Sequence, residues 1–572
     1  MHHAQRRRHG WSARIVLVVT SLALVLSACG SDSKSGGGTT TSPGGSGGGG
    51  GKPQSGGKLT MAIESETGGG YCLPDAQLVV SGEQVATSIY DTLVTMNSKG
   101  EYVPFLAESV TPNADSTVWT IKLRSGIKFH DNSPLNADVV KNNIDAWRGA
   151  YANRPSLLLS FVASDVATVT SDGNLTVTVT TKRPWTALPW VLYANGRTGI
   201  MAQAQLDASP EDCKSKTLIG TGPFKFVSWT PNVKLELTRN PDYWRKDKYG
   251  TQLPYLDAIT FVPQPNEQQR NNGLATGQFQ VVHQSNQIQV EELLKGGSSG
   301  KYNVAQETGH RELRYYLTNA RRAPFNDQTG REALAYAIDR ETVNQIVNLG
   351  KATLADQPFD KDVVGFNPKT KFPEYNLATA KKKVAAYKQA HGGSFPQIVF
   401  LCDNSPAELK EATELVNEVE AAGIPAKLKQ VDQTKIVDTA LGGDFDVMLW
   451  RNHPGGDPDS QYFWWWNSPS EGKASQAGNP VNFGAFADDE ISNDLETGRG
   501  MEVGSAARAK NYQGLAQDFA DKLWNVWGWY INWTIGAKTN VYGLTGGTLP
   551  DGSAPIPILA GLIRADNLWI KQ

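Results

Sequence analysis

Cysteine is scarce in this chain: four occur in 572 residues. A fold stapled by many disulfides is excluded, since such scaffolds are small and cysteine-dense. Long apolar runs are equally scarce. The longest, residues 15–26, is broken by Thr20 and Ser21, and it falls short of the ~20 residues that cross a bilayer core. An excess of either charge is missing too, with 55 Lys and Arg against 57 Asp and Glu. No basic block follows the amino-terminal arginines, which argues against nucleic acid as a partner. The histidines His130, His283, His310, His391 and His453 stand alone without metal-ligand spacing, so neither a metal nor another cofactor is expected.

Catalytic signatures are lacking as well. Gly296-Gly297-Ser298-Ser299-Gly300 has the letters of a nucleophile elbow, which requires a strand before it and a helix after it. Here a helix-like stretch, 291–295, precedes and a strand-like stretch, 301–304, follows, so a Gly/Ser turn is expected. No phosphate-cradling loop is present, and no carboxylate pair stands out. No catalytic role is expected from these residues.

What is present begins with an address. Arg6, Arg7, Arg8 and Arg14 precede the apolar run, which ends in Leu26-Ser27-Ala28-Cys29. A basic flank and a short apolar core fit a secretory signal. The last four residues resemble the lipobox of bacterial lipoproteins. That resemblance implies a signal peptide at 1–28 and a diacylglycerol on Cys29, with attachment to the outer face of the cell membrane. Two acyl chains meet the two-signal requirement for stable anchoring, at ~0.8 kcal/mol per buried CH₂. Residues 29–57 would then be a lipidated, Gly/Ser-rich linker. Lacking large apolar side chains, it cannot offset its ordering entropy, and about 28 such residues have a root-mean-square reach of roughly 29 Å.

Roughly 515 residues follow, enough for two or three structural units. Segments 58–63, 118–123 and 175–179 read as strands, and 136–147 has helical spacing through Val139, Val140, Ile144 and Trp147. The clearest pattern lies later. An apolar strand over 397–402 leads into Ser405-Pro406-Ala407-Glu408, a capping box with Pro at the first helical position. The helix stops near Gly423. Strands at 424–428 and 445–450 follow, with another short helix between them. This βαβαβ order predicts a parallel sheet covered by helices. Ligands on such sheets sit beyond the carboxyl ends of the strands, which points to the stretch after Trp450. Cys402 is expected to be a buried strand thiol, and Cys72 and Cys213, both in loop-like sequence, are expected to be bridged in an exported protein.

Several stretches then resemble, in order, the family 5 solute-binding proteins of ATP-driven importers. Pro104-Phe105-Leu106-Ala107-Glu108-Ser109 leads to Trp119-Thr120-Ile121-Lys122-Leu123 and Gly126-Ile127-Lys128-Phe129-His130-Asp131, with Asn132 where the family usually has Gly. Gly220-Thr221-Gly222-Pro223-Phe224 pairs with Arg239-Asn240-Pro241-Asp242-Tyr243-Trp244. Ala323-Pro324-Phe325-Asn326 precedes Arg331-Glu332-Ala333-Leu334 and Ile338-Asp339-Arg340, and Asp457-Pro458 closes the series. On their own, Gly220 and Gly222 read as a tight turn and Asp339 as the cap of a helix over 341–350.

The resemblance implies an α/β, two-lobed periplasmic-binding-protein-like fold of the class II, or cluster C, type, with an extra α+β subdomain in lobe one. Lobe one is expected over 58–312 plus 540–572, its subdomain over 98–214, and lobe two over 313–539. The chain is expected to cross between lobes near Tyr315-Tyr316-Leu317 and Tyr530-Ile531-Asn532. A monomer is expected, capturing a solute for an ABC permease and ATPase, with peptide the first choice. Nickel chelates, oligosaccharides and haem-like rings are alternatives, as is an envelope scaffold with no transport role.

The expected ligand contacts are Tyr71, Tyr316 and Asn319, with Trp450, Arg451, Asn452 and His453 at the strand end. Asp457 and Trp464 complete the set. Peptide-binding members hold the peptide's ammonium with an aspartate three residues past the lobe-two Trp, and here that position is His453. Arg451 and His453 suit an anionic or neutral polar ligand, unless Asp457 takes over. Tyr462, Phe463, Trp464, Trp465 and Trp466 are either helix core or an aromatic wall of the cleft.

Overall fold

The computed structural model describes residues 51–572, apart from 153, 155, 157, 453–454 and 468–478. Cys29, the segment 1–28, the linker through residue 50 and His453 therefore lie outside the described residues.

The first strand, β1 (Lys58–Ile63), buries its apolar side chains in the centre of a sheet. The chain then leaves that sheet. Strands β2 (Ala107–Pro112), β3 (Val118–Leu123), β4 (Val166–Ser171) and β5 (Thr176–Thr181) form an antiparallel sheet ordered β2-β3-β5-β4. The alternation seen in the sequence decides which side is covered: Trp119, Ile121 and Leu123 are buried, as are Val177 and Val179. They pack beneath the helix Ala137–Trp147, which buries Val139, Val140, Ile144 and Trp147. Asn136 caps it, its side chain accepting from the Val139 N–H.

The chain returns through β6 (Phe224–Thr230), β7 (Lys234–Arg239), β8 (Ala258–Pro263), β9 (Val281–Gln284) and β10 (Asn303–Gln306). Gly222 permits this return by close approach: a Cβ there would sit 2.5 Å from the Ile89 carbonyl oxygen. The expected tight turn is thus a backbone contact, with the Gly222 N–H donating to that same oxygen. The expected turn at 296–300 is also revised. Gly296, Gly297 and Ser298 complete the helix Gln287–Ser298. A Cβ on Gly296 would fall 2.3 Å from the Tyr302 ring, so glycine serves packing there.

A second sheet is built from β11 (Leu313–Thr318), β12 (Thr353–Leu354), β13 (Ile398–Asp403), β14 (Ala426–Val431), β15 (Val447–Asn452) and β16 (Asn525–Tyr530). Its order is β12-β16-β11-β15-β13-β14, with β13 parallel to both β14 and β15. This is the βαβαβ unit of the sequence. Its helix, Pro406–Ala421, starts at the Ser405 cap and presents Ala412, Leu415 and Val419 to the sheet.

The last strand, β17 (Thr534–Ala537), goes back to the first sheet, whose order is β10-β17-β9-β1-β8-β7-β6. The chain passes between sheets at 307–312 and 531–533. The first passage differs from expectation: Tyr315, Tyr316 and Leu317 lie inside β11. The return also precedes the expected residue 540. The two passages run side by side, with the Ile531 N–H donating to the Glu312 carbonyl and the Glu307 N–H to the Trp533 carbonyl, both at 2.8 Å. The carboxyl-terminal residues cover the first lobe, where the Gln84 side chain bonds both the N–H and the C=O of Ile563.

Cys72 and Cys213 are joined by a disulfide, across a separation of 141 residues. A loop of that size corresponds to about 5 kcal/mol in the chain-entropy treatment of cross-links. Cys402 is a buried free thiol, its pKa pushed up to about 12 by burial and the nearby Glu408 carboxylate. In protein matured by oxidative export and lacking Cys29, one thiol should titrate after denaturation and none in the native state. Three thiols after denaturation would contradict the bridge.

Candidate functional site

Three strand ends meet where the two sheets face each other. Glu64 and Ser65 follow β1, Asp403 ends β13, and Trp450, Arg451 and Asn452 end β15. These are carboxyl ends, where backbone leaves the sheet and a crevice forms. Two adjoining cavities occupy the crevice, about 90 and 70 Å³ in volume. Both are lined by Arg314, Asp403, Glu408, Gln433 and Arg451. A third, about 30 Å³, adjoins through Arg197 and Trp464.

The crevice is polarised along its length. At one end stand Glu64, Glu267 and Glu411, with Ser285 and Asn286, and the shared Arg314, Asp403, Glu408 and Arg451 lie between this end and the opposite one. At the other, Leu78, Val80, Ile436 and Val437 meet Trp450, Trp464 and Phe483. Trp450 packs edge-on against both Trp464 and Phe483, at 6.1 and 5.3 Å between ring centres. Its indole N–H donates to Asn452 Oδ1 at 3.1 Å, while Asn452 donates to Gln461. Asn452 thus orients the Trp450 ring from behind.

Arg451 spans the crevice. Its guanidinium pairs with both Glu64 oxygens, at 3.0 and 3.2 Å, and lies 3.9 Å from Glu312. Burial works against a charge on Glu64, but Arg451, with the Ser285 hydroxyl, overcomes it and brings the carboxyl to about 2. The pair therefore stays charged throughout the physiological range; its stabilisation is fully present above the ordinary carboxyl value of 4.5 and is lost progressively as pH falls from there through about 2. A second cation, Arg314, donates to Glu411 at 3.0 and 2.9 Å and to Glu408 at 2.7 Å. Asp403 differs from these carboxylates. It is 8 % exposed, and Oδ1 accepts from the Ser405 N–H at 2.8 Å. Among the described residues no cation is paired with it. Burial and the neighbouring Glu408 push its carboxyl up to about 7.

The expected contacts separate into groups. Trp450, Arg451 and Trp464 line the crevice, and Asn452 supports it. Tyr71 is buried in the first lobe, 5.2 Å from the Trp229 ring and beside the disulfide. Tyr316 is fully buried in β11. Asn319 donates to the Gly443 and Phe445 carbonyls, fixing the entry to β15. These three do not line the crevice. Asp457 is held at both oxygens by Arg508, at 2.7 and 2.6 Å, so its charge is matched within the protein. The same holds for Arg451, which faces Glu64 and Glu312 and leaves no surplus positive charge for an anion. Trp465 and Trp466 belong to the core, while Phe463 and Trp464 are half-buried.

Sequence reasoning missed Glu64, Asp403 and Glu408. Asp403 carried a usable signal, since it ends the most confidently apolar strand of the parallel unit. Asp403-Asn404-Ser405-Pro406 reads first as a turn and cap. Among the described residues no group of His, Cys, Asp and Glu could hold a metal ion, and no helix is long and apolar enough to cross a membrane.

Comparison with known proteins agrees with this architecture. The glutathione-binding protein GsiB of Pectobacterium atrosepticum is 24% identical over 443 residues, 77% of this chain and 82% of that protein. The oligopeptide-binding protein AppA from Bacillus subtilis, solved with a nonapeptide, superposes with a TM-score of 0.76 at 20% identity, over 91% of this chain and all of AppA. AgaA from A.tumefacien R10, solved with agropinic acid, gives 0.77 at 21% identity, over 90% of this chain and 99% of AgaA. The fold is the two-lobed, cluster C arrangement of periplasmic binding proteins. Residues 101–474 match the family described as bacterial extracellular solute-binding proteins, family 5 middle. The chain belongs to family 5 of the extracellular solute-binding proteins, the non-enzymatic binding components of ABC importers.

Proposed function

We propose that this chain captures peptides in the crevice between its two sheets and presents them to a membrane permease. The observation that carries the reading is the polarity of the crevice. A peptide is an ammonium followed by side chains of varied shape, and the crevice offers carboxylates at one end and an aromatic wall at the other. The ligands named for two relatives, glutathione and a nonapeptide, support the same class. We further propose that Cys29 is lipidated and holds the protein at the outer face of the cell membrane, where the permease lies. The support is the Leu26-Ser27-Ala28-Cys29 sequence and the Gly/Ser-rich stretch after it.

Capture requires the crevice to open. The Arg451–Glu64 pair bridges it in the present form and therefore favours closure, because opening exposes both groups to water and separates them.

Mass spectrometry of ligand released from natively purified protein should identify peptides with free amino termini; a non-peptide solute as the main species would overturn the assignment. Trp450→Ala should weaken peptide binding roughly tenfold, by removing a wall of the apolar end, as calorimetry would register. Glu64→Gln should raise the ligand-free radius of gyration in X-ray scattering, and an unchanged value would remove the pair's role in closure. Cys29→Ala should abolish metabolic labelling with palmitate; retained labelling would place the lipid elsewhere.

A further inference from the structure

We propose that Asp403 is the residue that holds the ligand's ammonium group. The proposal rests on the reading of the crevice as a peptide site and specifies its charged anchor.

The crevice carboxylates are distinguished by what already neutralises them. Glu64 is bonded to Arg451 at both oxygens. Glu408 and Glu411 share Arg314. Glu312 accepts from the Trp533 indole N–H at 2.9 Å and lies 3.9 Å from Arg451. Glu267 has no ion pair among the described residues, and burial raises its carboxyl, although it sits in the first turn of the helix Glu267–Thr276, whose N-terminal N–H groups oppose that rise. It also lines only one of the two main cavities. Asp403 lines both, is nearly buried, and among the described residues has hydrogen-bond support from Ser405 alone. Its backbone N–H donates to Glu408 Oε2 at 3.0 Å, so a second carboxylate stands beside it.

An unmatched carboxylate in that position is costly when ionised. Burial first, and Glu408 second, favour its neutral form, which leaves it near 7. A ligand ammonium would supply the missing positive charge and restore the ionised state.

Position supports the same role. The parallel register pairs Phe400 with Val447 and Leu401 with Met448. Two residues on, Asp403 comes level with Trp450, at the threshold between the acidic and aromatic ends. An amino terminus held there would send the first side chains toward Trp450, Trp464 and Phe483. The position where resemblance to peptide-binding relatives calls for an aspartate is His453, and Asp457 is engaged by Arg508. Asp403 offers the charge from the adjacent strand instead.

The test uses a mixed library of di- to pentapeptides with free amino termini and the same library N-acetylated, titrated by thermal shift and calorimetry. The parent protein should bind the free library and bind the acetylated one at least about 30-fold more weakly, the lower bound for removing one partner of a buried charge pair. Asp403→Asn keeps the shape and the acceptor for the Ser405 N–H. It should lose about 30-fold or more for the free library while binding the acetylated library as the parent does. Glu108→Gln, at an exposed carboxylate paired with Lys122 outside the crevice, should retain the parent's preference. Equal binding of both libraries by the parent, or undiminished binding by Asp403→Asn, would overturn the Asp403 assignment and leave the peptide reading standing. Binding of neither library by the parent would overturn both.

Discussion

The architecture depends on two short passages of backbone, 307–312 and 531–533, tied to each other by hydrogen bonds. The chain makes one sheet, crosses, makes a second, and crosses back to place β17 within the first. Because the crossings are adjacent, neither sheet can shift far along the other, and relative movement is confined to rotation about that junction. The crevice lies beside the junction, at the carboxyl ends of β1, β13 and β15. The passages are rich in ionisable residues that are nonetheless buried, with Glu307, Arg311 and Glu312 each under a tenth exposed and burial raising both carboxyls. Arg311 is neutralised by Asp360 at 2.9 Å, and Glu312 accepts from Trp533 in the opposite passage. Buried charges matched in this way fix a geometry more than they add net stability.

The same rule organises the crevice. Most of its charges are matched internally, so they shape the walls without creating a demand for a ligand of either sign. Arg451 illustrates the point. Its position at the mouth of β15 suggests an anion receptor, yet Glu64 and Glu312 face it. The crevice carboxylates left without a paired cation among the described residues are Asp403 and Glu267, so the charge remaining after internal pairing is negative.

Much of the fold was legible because its signals were local. The strand ending at Cys402, the Ser405 cap and the stop at Gly423 appear within a few residues of their expected places. The helix after Asn136 followed from apolar spacing, and the structure adds the Asn136 cap. What was not legible depended on distant contacts. Glu307 and Glu312 look like loop residues, since polarity in sequence says nothing of burial. Gly296 looks like a turn until the Tyr302 ring lies against it. In the crevice, Trp450 was accessible from strand topology, whereas the matching of Arg451 with Glu64 joins residues 387 apart. Asp457 showed the reverse: its availability depended on Arg508, on a helix that sequence reading had not connected to it.

The return of β17 to the first sheet has a kinetic consequence. Strand β17 pairs with both β9 and β10, and β10 pairs with nothing else in its sheet. Those partners are made more than 200 residues before it. Until the last segment arrives, one side of the first sheet has open edges and β10 has no place to dock. Loop closure on that scale is slow, and exposed edges invite wrong pairing in the interval. A chain of this topology emerges from synthesis or from a translocation channel with its first lobe unfinished, and its native sheet is sealed only when nearly the whole polypeptide has appeared.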